Sequence, residues 1–180
     1  MRPVLLLPGI GNSSPAHWQS LWQGKYGGVN RVMQRDWNHP VCDEWVLCLD
    51  RAVLRAAAPA ILVAHSLGCL AAVHWSARAP RHAGRHCYAM LLVAVPDPAA
   101  AVFPSEATGF APLPATLSAH RVTVASSSDD PYSSVQFSGH CVAAWNAEHM
   151  ALGQRGHINA DSGLGDWPQG WAIVDRWRQE

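Results

Sequence analysis

The chain has 180 residues, enough to bury a continuous core in one domain (residues 1–180) without the help of disulfides. Its 13 basic and 13 acidic residues leave no net charge, and no run of Lys or Arg offers phosphates a surface, which argues against nucleic-acid binding. No apolar segment approaches the roughly 20 residues that span a bilayer, so we expect no membrane partner.

Six short apolar runs are predicted to be β-strands, and several of them lack the alternation of a strand that has one exposed face. In chain order they are residues 3–7, 29–34, 60–65, 88–95, 121–126 and, more weakly, 149–153. Continuous apolar runs of this length are typical of parallel strands that are covered on both faces.

Helical segments fit between these strands. Ser14 and Pro15 are predicted to be the N-cap and the first position of a helix, and Asp43 is predicted to begin a second one. Further helices are predicted over residues 66–79, 131–146 and 167–180. Strands that alternate with helices indicate an α/β fold with a mainly parallel sheet and helices on both faces.

One segment between the fourth and fifth strands fits neither pattern. Residues 96–117 contain five prolines and show no clear period. A loop of this length is more often functional than idle, and its place after a parallel strand brings it near the carboxyl edge of the sheet, where α/β proteins bind ligands. Phe103 and Phe110 are candidates for the lining of a pocket there, although packing over the sheet edge fits them equally well.

The junction of the third strand with the following helix resembles a nucleophile elbow. Residues 64–68 read AHSLG and nearly match G-x-S-x-G, with Ser66 at the centre. The pattern needs small residues two positions either side of the serine because the turn is tight, and Ala64 adds only one methyl group to it. A serine that merely caps a helix gives a similar local pattern, so both interpretations of Ser66 stay open at this point.

A serine hydroxyl becomes a nucleophile when a histidine takes its proton and a carboxylate fixes the tautomer of that histidine. On this type of fold the chain order is Ser, then Asp or Glu, then His, each after a strand. Asp129 and Asp130 follow the fifth strand, and His157 follows the sixth. Asp97, after the fourth strand, competes on position. Asp130 is favoured because the next residue is proline, which stiffens the turn that presents the carboxylate.

Four stretches that span nearly the whole chain carry a family resemblance: LLLPGIGNSSPAHWQ, VAHSLG, ASSSDDPY and GHINADSGLGDWPQG. Together they resemble the small α/β-hydrolase-fold serine hydrolases related to retinoblastoma-binding protein nine. The resemblance implies that Ser66 is the nucleophile, Asp130 the acid and His157 the base. It also implies a minimal six-stranded sheet in the order 2-1-3-4-5-6 with no large lid.

An oxyanion hole is a further requirement of acyl transfer, and backbone N–H groups commonly supply it. One donor is expected to be the N–H of Leu67, the residue after the nucleophile. The loop after the first strand, LPGIGNSS, should supply the other, and we favour the N–H of Ile10, although its glycines could equally serve only to shape the turn. Trp18, just beyond this loop, is a further candidate for the substrate pocket.

The expected reaction is hydrolysis of a small carboxylic ester or a related acyl compound through an acyl-enzyme, with no cofactor and no metal. The spacing of His82, His86 and Cys87 matches no standard zinc site. His65 is expected to pack or to contact the triad from behind. Two alternatives remain: a binding protein that kept the fold without turnover, and an acyltransferase or thioesterase with the same triad.

The N-terminus and the cysteines bear on the cellular compartment of the protein. The apolar run before Pro8 is too short for a signal peptide. The five cysteines are an odd number, for which reduced thiols are the simplest interpretation. We therefore expect a cytoplasmic protein whose partner is a small-molecule substrate, while the sequence indicates no protein partner.

Overall fold

A single six-stranded sheet organises the computed structural model, which describes residues 1–180. The strands are β1 (Val4–Leu7), β2 (Val29–Arg31), β3 (Ala60–His65), β4 (Cys87–Val93), β5 (Arg121–Ser126) and β6 (Glu148–Ala151). They lie in the order β2-β1-β3-β4-β5-β6, and every neighbouring pair is parallel. This arrangement confirms the predicted α/β-hydrolase strand order. Because all strands are parallel, their carboxyl ends meet at one edge of the sheet.

The helices cover both faces of this sheet. They are α1 (Trp18–Lys25), α2 (Cys42–Arg55), α3 (Leu67–Arg78), α4 (Pro80–His86), α5 (Val135–Ala144) and α6 (Pro168–Gln179). Alternate side chains of each strand point to opposite faces, so Leu5 and Leu7 pack in one core cluster while Val4 and Leu6 pack in the other. The first cluster contains α2 and α3, and the second contains α1 and α6. No helix has the length and apolar character needed to cross a lipid bilayer.

Two helix starts differ from the prediction. Helix α1 begins at Trp18 and not at Pro15, because residues 14–17 form a turn closed by the His17 N–H and the Ser14 carbonyl at 3.0 Å. The cap is His17, whose ring nitrogen Nδ1 accepts the N–H of Gln19. Helix α5 begins at Val135 with Ser134 as its cap. Helix α4 was not predicted, since only its first residue, Pro80, gives a local start signal.

The loop 96–117 forms no helix or strand of its own. It lies over the ends of α2 and α3, where the Cys42 N–H donates to the Thr108 carbonyl at 2.9 Å. The Phe110 side chain is buried beside Trp45 of α2, and its carbonyl accepts a hydrogen bond from His74 of α3. Part of this loop is therefore core packing, while its earlier part reaches the carboxyl edge of the sheet.

Candidate active site

Ser66 occupies the sharp turn between β3 and α3. Its φ of 54° and ψ of −126° are unusual for a residue with a side chain, and such backbone strain costs about 1–3 kcal/mol. The Ser66 N–H donates to the Val93 carbonyl of β4 at 2.9 Å, which holds the turn against the sheet. The hydroxyl makes no capping bond with α3. The alternative of a simple capping serine is therefore wrong for Ser66.

The glycines around Ser66 are required by close backbone approach. A Cβ atom added at Gly68 would lie 2.2 Å from the Leu7 carbonyl oxygen, and one added at Gly9 would lie 2.8 Å from the Ser66 Cβ. Ala64, which stands where the elbow pattern has its first glycine, is fully buried within β3. Its methyl group packs in the core, which explains why the replaced glycine is tolerated.

His157 and Asp130 meet Ser66 at the carboxyl edge of the sheet. The His157 Nε2 atom lies 2.7 Å from the Ser66 Oγ atom, and Nδ1 lies 2.9 and 3.0 Å from the two carboxylate oxygens of Asp130. The Asp130 side chain is only 1% exposed and the His157 side chain 12% exposed. A proton on Nδ1 donates to the carboxylate and leaves Nε2 free to accept the serine proton.

The competing aspartates point elsewhere. Asp129 accepts the Ser127 hydroxyl at 2.6 Å and the Gly156 N–H at 2.8 Å, and these bonds lower the pKa of its carboxyl. Asp97 accepts the N–H of Ala99 at 2.9 Å. Neither carboxylate contacts His157, so the structure brings Asp130 alone among the three candidates to the histidine.

The two expected oxyanion donors face the same space. Ile10 and Leu67 both line the cavity in front of Ser66, and neither backbone N–H donates to another protein group. The loop around Ile10 is shaped by the Gly11 N–H, which donates to the Trp37 carbonyl at 2.8 Å. Unpaired N–H groups on residues that line the cavity beside the nucleophile are what an oxyanion hole requires.

The cavity in front of Ser66 has a volume of about 460 Å³, and only 5 of its 16 lining residues are hydrophobic. Phe103 lines it, as predicted. Trp18 and Phe110 do not line the cavity, and for Phe110 the alternative of packing holds. The Trp18 side chain is buried against the ring of Trp167, and its indole N–H donates to the Ile158 carbonyl at 2.9 Å. The Phe110 ring is buried against Trp45 of α2 and His74 of α3.

Several residues that the sequence analysis missed also line the cavity: Asn12, Ser14, His17, Tyr132, Asn159 and Asp161. Tyr132 and Asn159 stand two positions from Asp130 and His157 in the chain, so proximity in sequence could have suggested them. The Tyr132 ring lies 4.7 Å from the His157 ring. His17 directly precedes Trp18, so its place after the loop that follows β1 could have suggested it as well.

Two buried histidines, His65 and His17, lie near His157 and also line the cavity. The Nε2 atom of His65 donates to the His157 carbonyl at 2.9 Å, which confirms the expected contact from behind. The His17 ring lies 4.7 Å from the His65 ring, edge to face. Burial, and then the charges of Arg31 and His157, lower the pKa of His17 to about 4. Burial also lowers the pKa of His65. Both rings are therefore neutral at pH 7.

No group of three or more His, Cys, Asp or Glu side chains is arranged to hold a metal ion. His82 and His86 lie on α4, and the His82 Nε2 atom is 3.0 Å from the Asp50 carboxylate. Cys87 is buried in β4. The groups that the structure brings together at this edge of the sheet are the Ser66, His157 and Asp130 side chains.

Known hydrolases resemble this chain in sequence or in fold. The family of serine hydrolases matches residues 4–176. A crystal structure from Pectobacterium atrosepticum, described as that of a YdeN-like hydrolase, is 29% identical, with a TM-score of 0.86 over 99% of this chain and 91% of the other. The ydeN gene product of B. subtilis is 18% identical, with a TM-score of 0.78 over the full length of both chains.

A third solved structure, the type II thioesterase BorB from the borrelidin biosynthetic cluster, is 17% identical, with a TM-score of 0.69 over 99% of this chain and 92% of that one. At this identity the likeness concerns the fold. A search among curated proteins finds no match. Because the family match extends over almost the whole chain, the protein belongs to the serine hydrolase family and has an α/β-hydrolase fold.

Proposed function

We propose that the protein hydrolyses small carboxylic esters or related acyl compounds, with Ser66 as nucleophile, His157 as base and Asp130 as acid. The observation that carries the proposal is the hydrogen-bonded chain from the Asp130 carboxylate through His157 to the Ser66 hydroxyl at the floor of the cavity. The family supports hydrolysis, and these distances support this assignment of roles.

In the first half of the reaction, the Ser66 oxygen attacks the carbonyl carbon while its proton passes to His157 Nε2. The imidazolium that forms is stabilised by the Asp130 carboxylate. His157 then gives the proton to the leaving alcohol, and the acyl group stays bonded to Ser66. In the second half, His157 takes a proton from water, the hydroxide attacks the acyl carbon, and the proton returns to Ser66 as the acid leaves.

The N–H groups of Ile10 and Leu67 would stabilise the negative oxygen of each tetrahedral intermediate. Removing a donor of this kind from an oxyanion hole typically costs about 2.7–4 kcal/mol of transition-state stabilisation. Leu67 is well suited because it begins α3, and the first N–H groups of a helix lack partners within the helix. The reaction needs no cofactor.

The cavity favours a compact acyl compound over a long-chain lipid. Its volume of about 460 Å³ falls in the lower part of the range for ligand sites, about 300–1,000 Å³. The lining combines polar and apolar groups, and the chain between β4 and β5 forms an irregular loop with no helical insertion that would make a large lid. A short, partly polar substrate fits such a site best.

A thioesterase is the second candidate, because one of the solved structures with this fold is a type II thioesterase. The same three side chains can hydrolyse either an oxygen ester or a thioester. Matched acetyl esters of an alcohol and of the corresponding thiol would separate the two. A binding protein without turnover is the remaining alternative, and it predicts no reaction with either compound.

Labelling with a fluorophosphonate probe tests the proposal directly. We expect the wild-type protein to be modified at Ser66, and Ser66→Ala to lose both the labelling and the esterase activity. Ser134→Ala is a matched control, since this serine uses its hydroxyl to cap α5. An unlabelled, folded wild-type protein that hydrolyses no acyl compound would favour the binding protein.

A further inference from the structure

The backbone has positive φ on both sides of His157, and it is strained at Ile158. Gly156 and Ile158 have φ values of 53° and 50°. A positive φ is expected for a glycine but is a genuine outlier for a β-branched residue such as isoleucine. Conformations of this kind persist only where the surrounding structure holds them. The Ile158 side chain is fully buried, which provides part of that hold.

Two buried side chains bind the carbonyl groups of this strained segment. The His65 Nε2–H donates to the His157 carbonyl at 2.9 Å, and the Trp18 Nε1–H donates to the Ile158 carbonyl at 2.9 Å. The donors come from separate elements, the end of β3 and the start of α1. Consecutive carbonyls are thus fixed to the rigid part of the fold, which restrains the rotation of the intervening peptide.

We propose that His65 is a positioning residue for His157, assisted by Trp18. By holding the His157 carbonyl, His65 keeps the imidazole at 2.7 Å from the Ser66 hydroxyl in a loop that would otherwise relax from its strained conformation. This inference rests on the proposed function of His157 as the base. A displacement of about 1 Å at a reacting group can cost 100-fold in rate, so the restraint has a direct catalytic value.

His74 offers a matched control within the same chain. It is 8% exposed against 6% for His65, and its Nε2–H also donates to a backbone carbonyl, that of Phe110, at 2.9 Å. The His74 ring packs against Phe110, which belongs to the core cluster that contains α2 and α3. His74 does not line the cavity. Both histidines contribute the same type of buried bond, but only His65 binds the carbonyl of the proposed base. His65 also lines the cavity, so kcat and KM must be measured separately to tell positioning of the base from substrate binding.

The experiment compares His65→Leu, His65→Asn and His65→Gln with His74→Leu, using the hydrolysis of p-nitrophenyl acetate. Gln carries its amide nitrogen about as far from Cα as His carries Nε2, whereas Asn is shorter and Leu has no donor. We expect His65→Leu and His65→Asn to lose about 10- to 100-fold in kcat with KM within about twofold, and His65→Gln to recover most of that loss. His74→Leu should keep wild-type kcat despite any fall in Tm.

Each other outcome contradicts the inference. A rise in KM with unchanged kcat would make His65 a substrate-binding residue, and equal kcat losses in His65→Leu and His74→Leu would reduce it to packing. If His65→Leu does not fold, a kcat for His65→Gln no better than that of His65→Asn overturns the proposal. If the fluorophosphonate probe does not label the wild-type protein, the proposed function itself is wrong. This result separates a failure of the proposed function from a failure of the inference about His65.

Trp18→Phe tests the second donor, because phenylalanine keeps an aromatic ring and removes the indole N–H. We expect a smaller loss of kcat, about three- to tenfold, since the His157 carbonyl remains bound. Trp145→Phe is its control: the Trp145 indole donates to the Pro114 carbonyl at 3.1 Å, away from the cavity lining. Equal kcat values in the two variants would exclude a role of Trp18 in positioning the base.

Discussion

The two edges of the sheet differ in how the backbone is built. Six residues other than glycine have positive φ, and four of them, Asn12, Ser66, Ala94 and Ile158, follow strands at the carboxyl edge. At the amino edge only Asn146 precedes a strand with such a value, and asparagine tolerates this conformation. Backbone strain is therefore concentrated at the edge that carries the cavity.

The difference shows that the buried core of this protein holds strained turns at one edge of the sheet. The central strands β1, β3 and β4 are almost fully buried, so they can hold strained turns at one end. At the other end, exposed contacts such as the ion pair of Arg121 with Glu180 join β5 to the chain terminus. We expect substitutions at the carboxyl edge to have large effects on rate or stability, and substitutions at the amino edge to have small ones.

The largest expected effect concerns the carboxylate behind His157. Asp130→Asn keeps the shape of the side chain but stabilises the wrong tautomer of the histidine, a change that lowers kcat by about 10⁴ in serine proteases. Asp129→Asn and Asp97→Asn should stay within about tenfold of wild type, which corresponds to about 1.4 kcal/mol. Steady-state kinetics on an aryl ester measure all three. Collapse of Asp97→Asn in place of Asp130→Asn would refute the assignment of the acid.

The next effect is on stability, where two glycines can be compared. A Cβ at Gly68 would overlap the Leu7 carbonyl, so Gly68→Ala should lower the free energy of unfolding by about 3 kcal/mol. A Cβ at Gly84, within α4, meets nothing within 4 Å, and Gly84→Ala should stabilise the protein by about 0.5–1 kcal/mol. Urea denaturation measures both. A similar free energy of unfolding in the two variants would contradict the expected asymmetry.

A third effect depends on pH. The pKa of His17 is lowered to about 4, so the unfolded chain binds more protons than the folded protein between this value and the ordinary value of 6.5. The free energy of unfolding should therefore fall as the pH falls through this window, by about 2 kcal/mol from His17 between pH 7.5 and pH 5. The lowered pKa of His65 acts in the same direction.

His17→Asn provides the control for this prediction. Asparagine can still cap α1 through its side-chain oxygen, but it does not titrate. The variant should lose less stability than wild type on acidification, as measured by urea denaturation at the two pH values. The same pH dependence in both proteins would show that the buried ring of His17 does not control acid stability.

The smallest effect is expected at the amino edge. Arg121 begins β5 and lies 3.0 Å from the Glu180 carboxylate, and both side chains are partly exposed. Exposed ion pairs contribute little because solvent and salt screen them, so Arg121→Gln should lower the free energy of unfolding only slightly and leave kcat unchanged. Thermal melting and ester kinetics test this. A loss of kcat would mean that the two edges are coupled.

Local patterns in the sequence determined most of the framework. The apolar runs identified all six strands. The reason is clearest for β1, β3 and β4, because fully buried parallel strands need continuous apolar residues. The elbow around Ser66 was readable for a similar reason, since the turn itself demands small residues. Short helices were harder to predict from the sequence, because α4 has little periodicity of its own and depends on packing against the rest of the fold.

Tertiary structure alone decided which side chains meet. The sequence left Asp97 and Asp130 both able to follow a strand, and only the course of the chain after β5 brings Asp130 to His157. Trp18 was a pocket candidate because it comes just after the loop that follows β1. Phe110 was a candidate because it lies in the loop 96–117, with packing as an equal alternative. Their large apolar rings are buried in the core instead, while the smaller and more polar His17 takes a place at the cavity. Contacts between distant segments depend on how the helices pack, and no local spacing in the sequence records that packing.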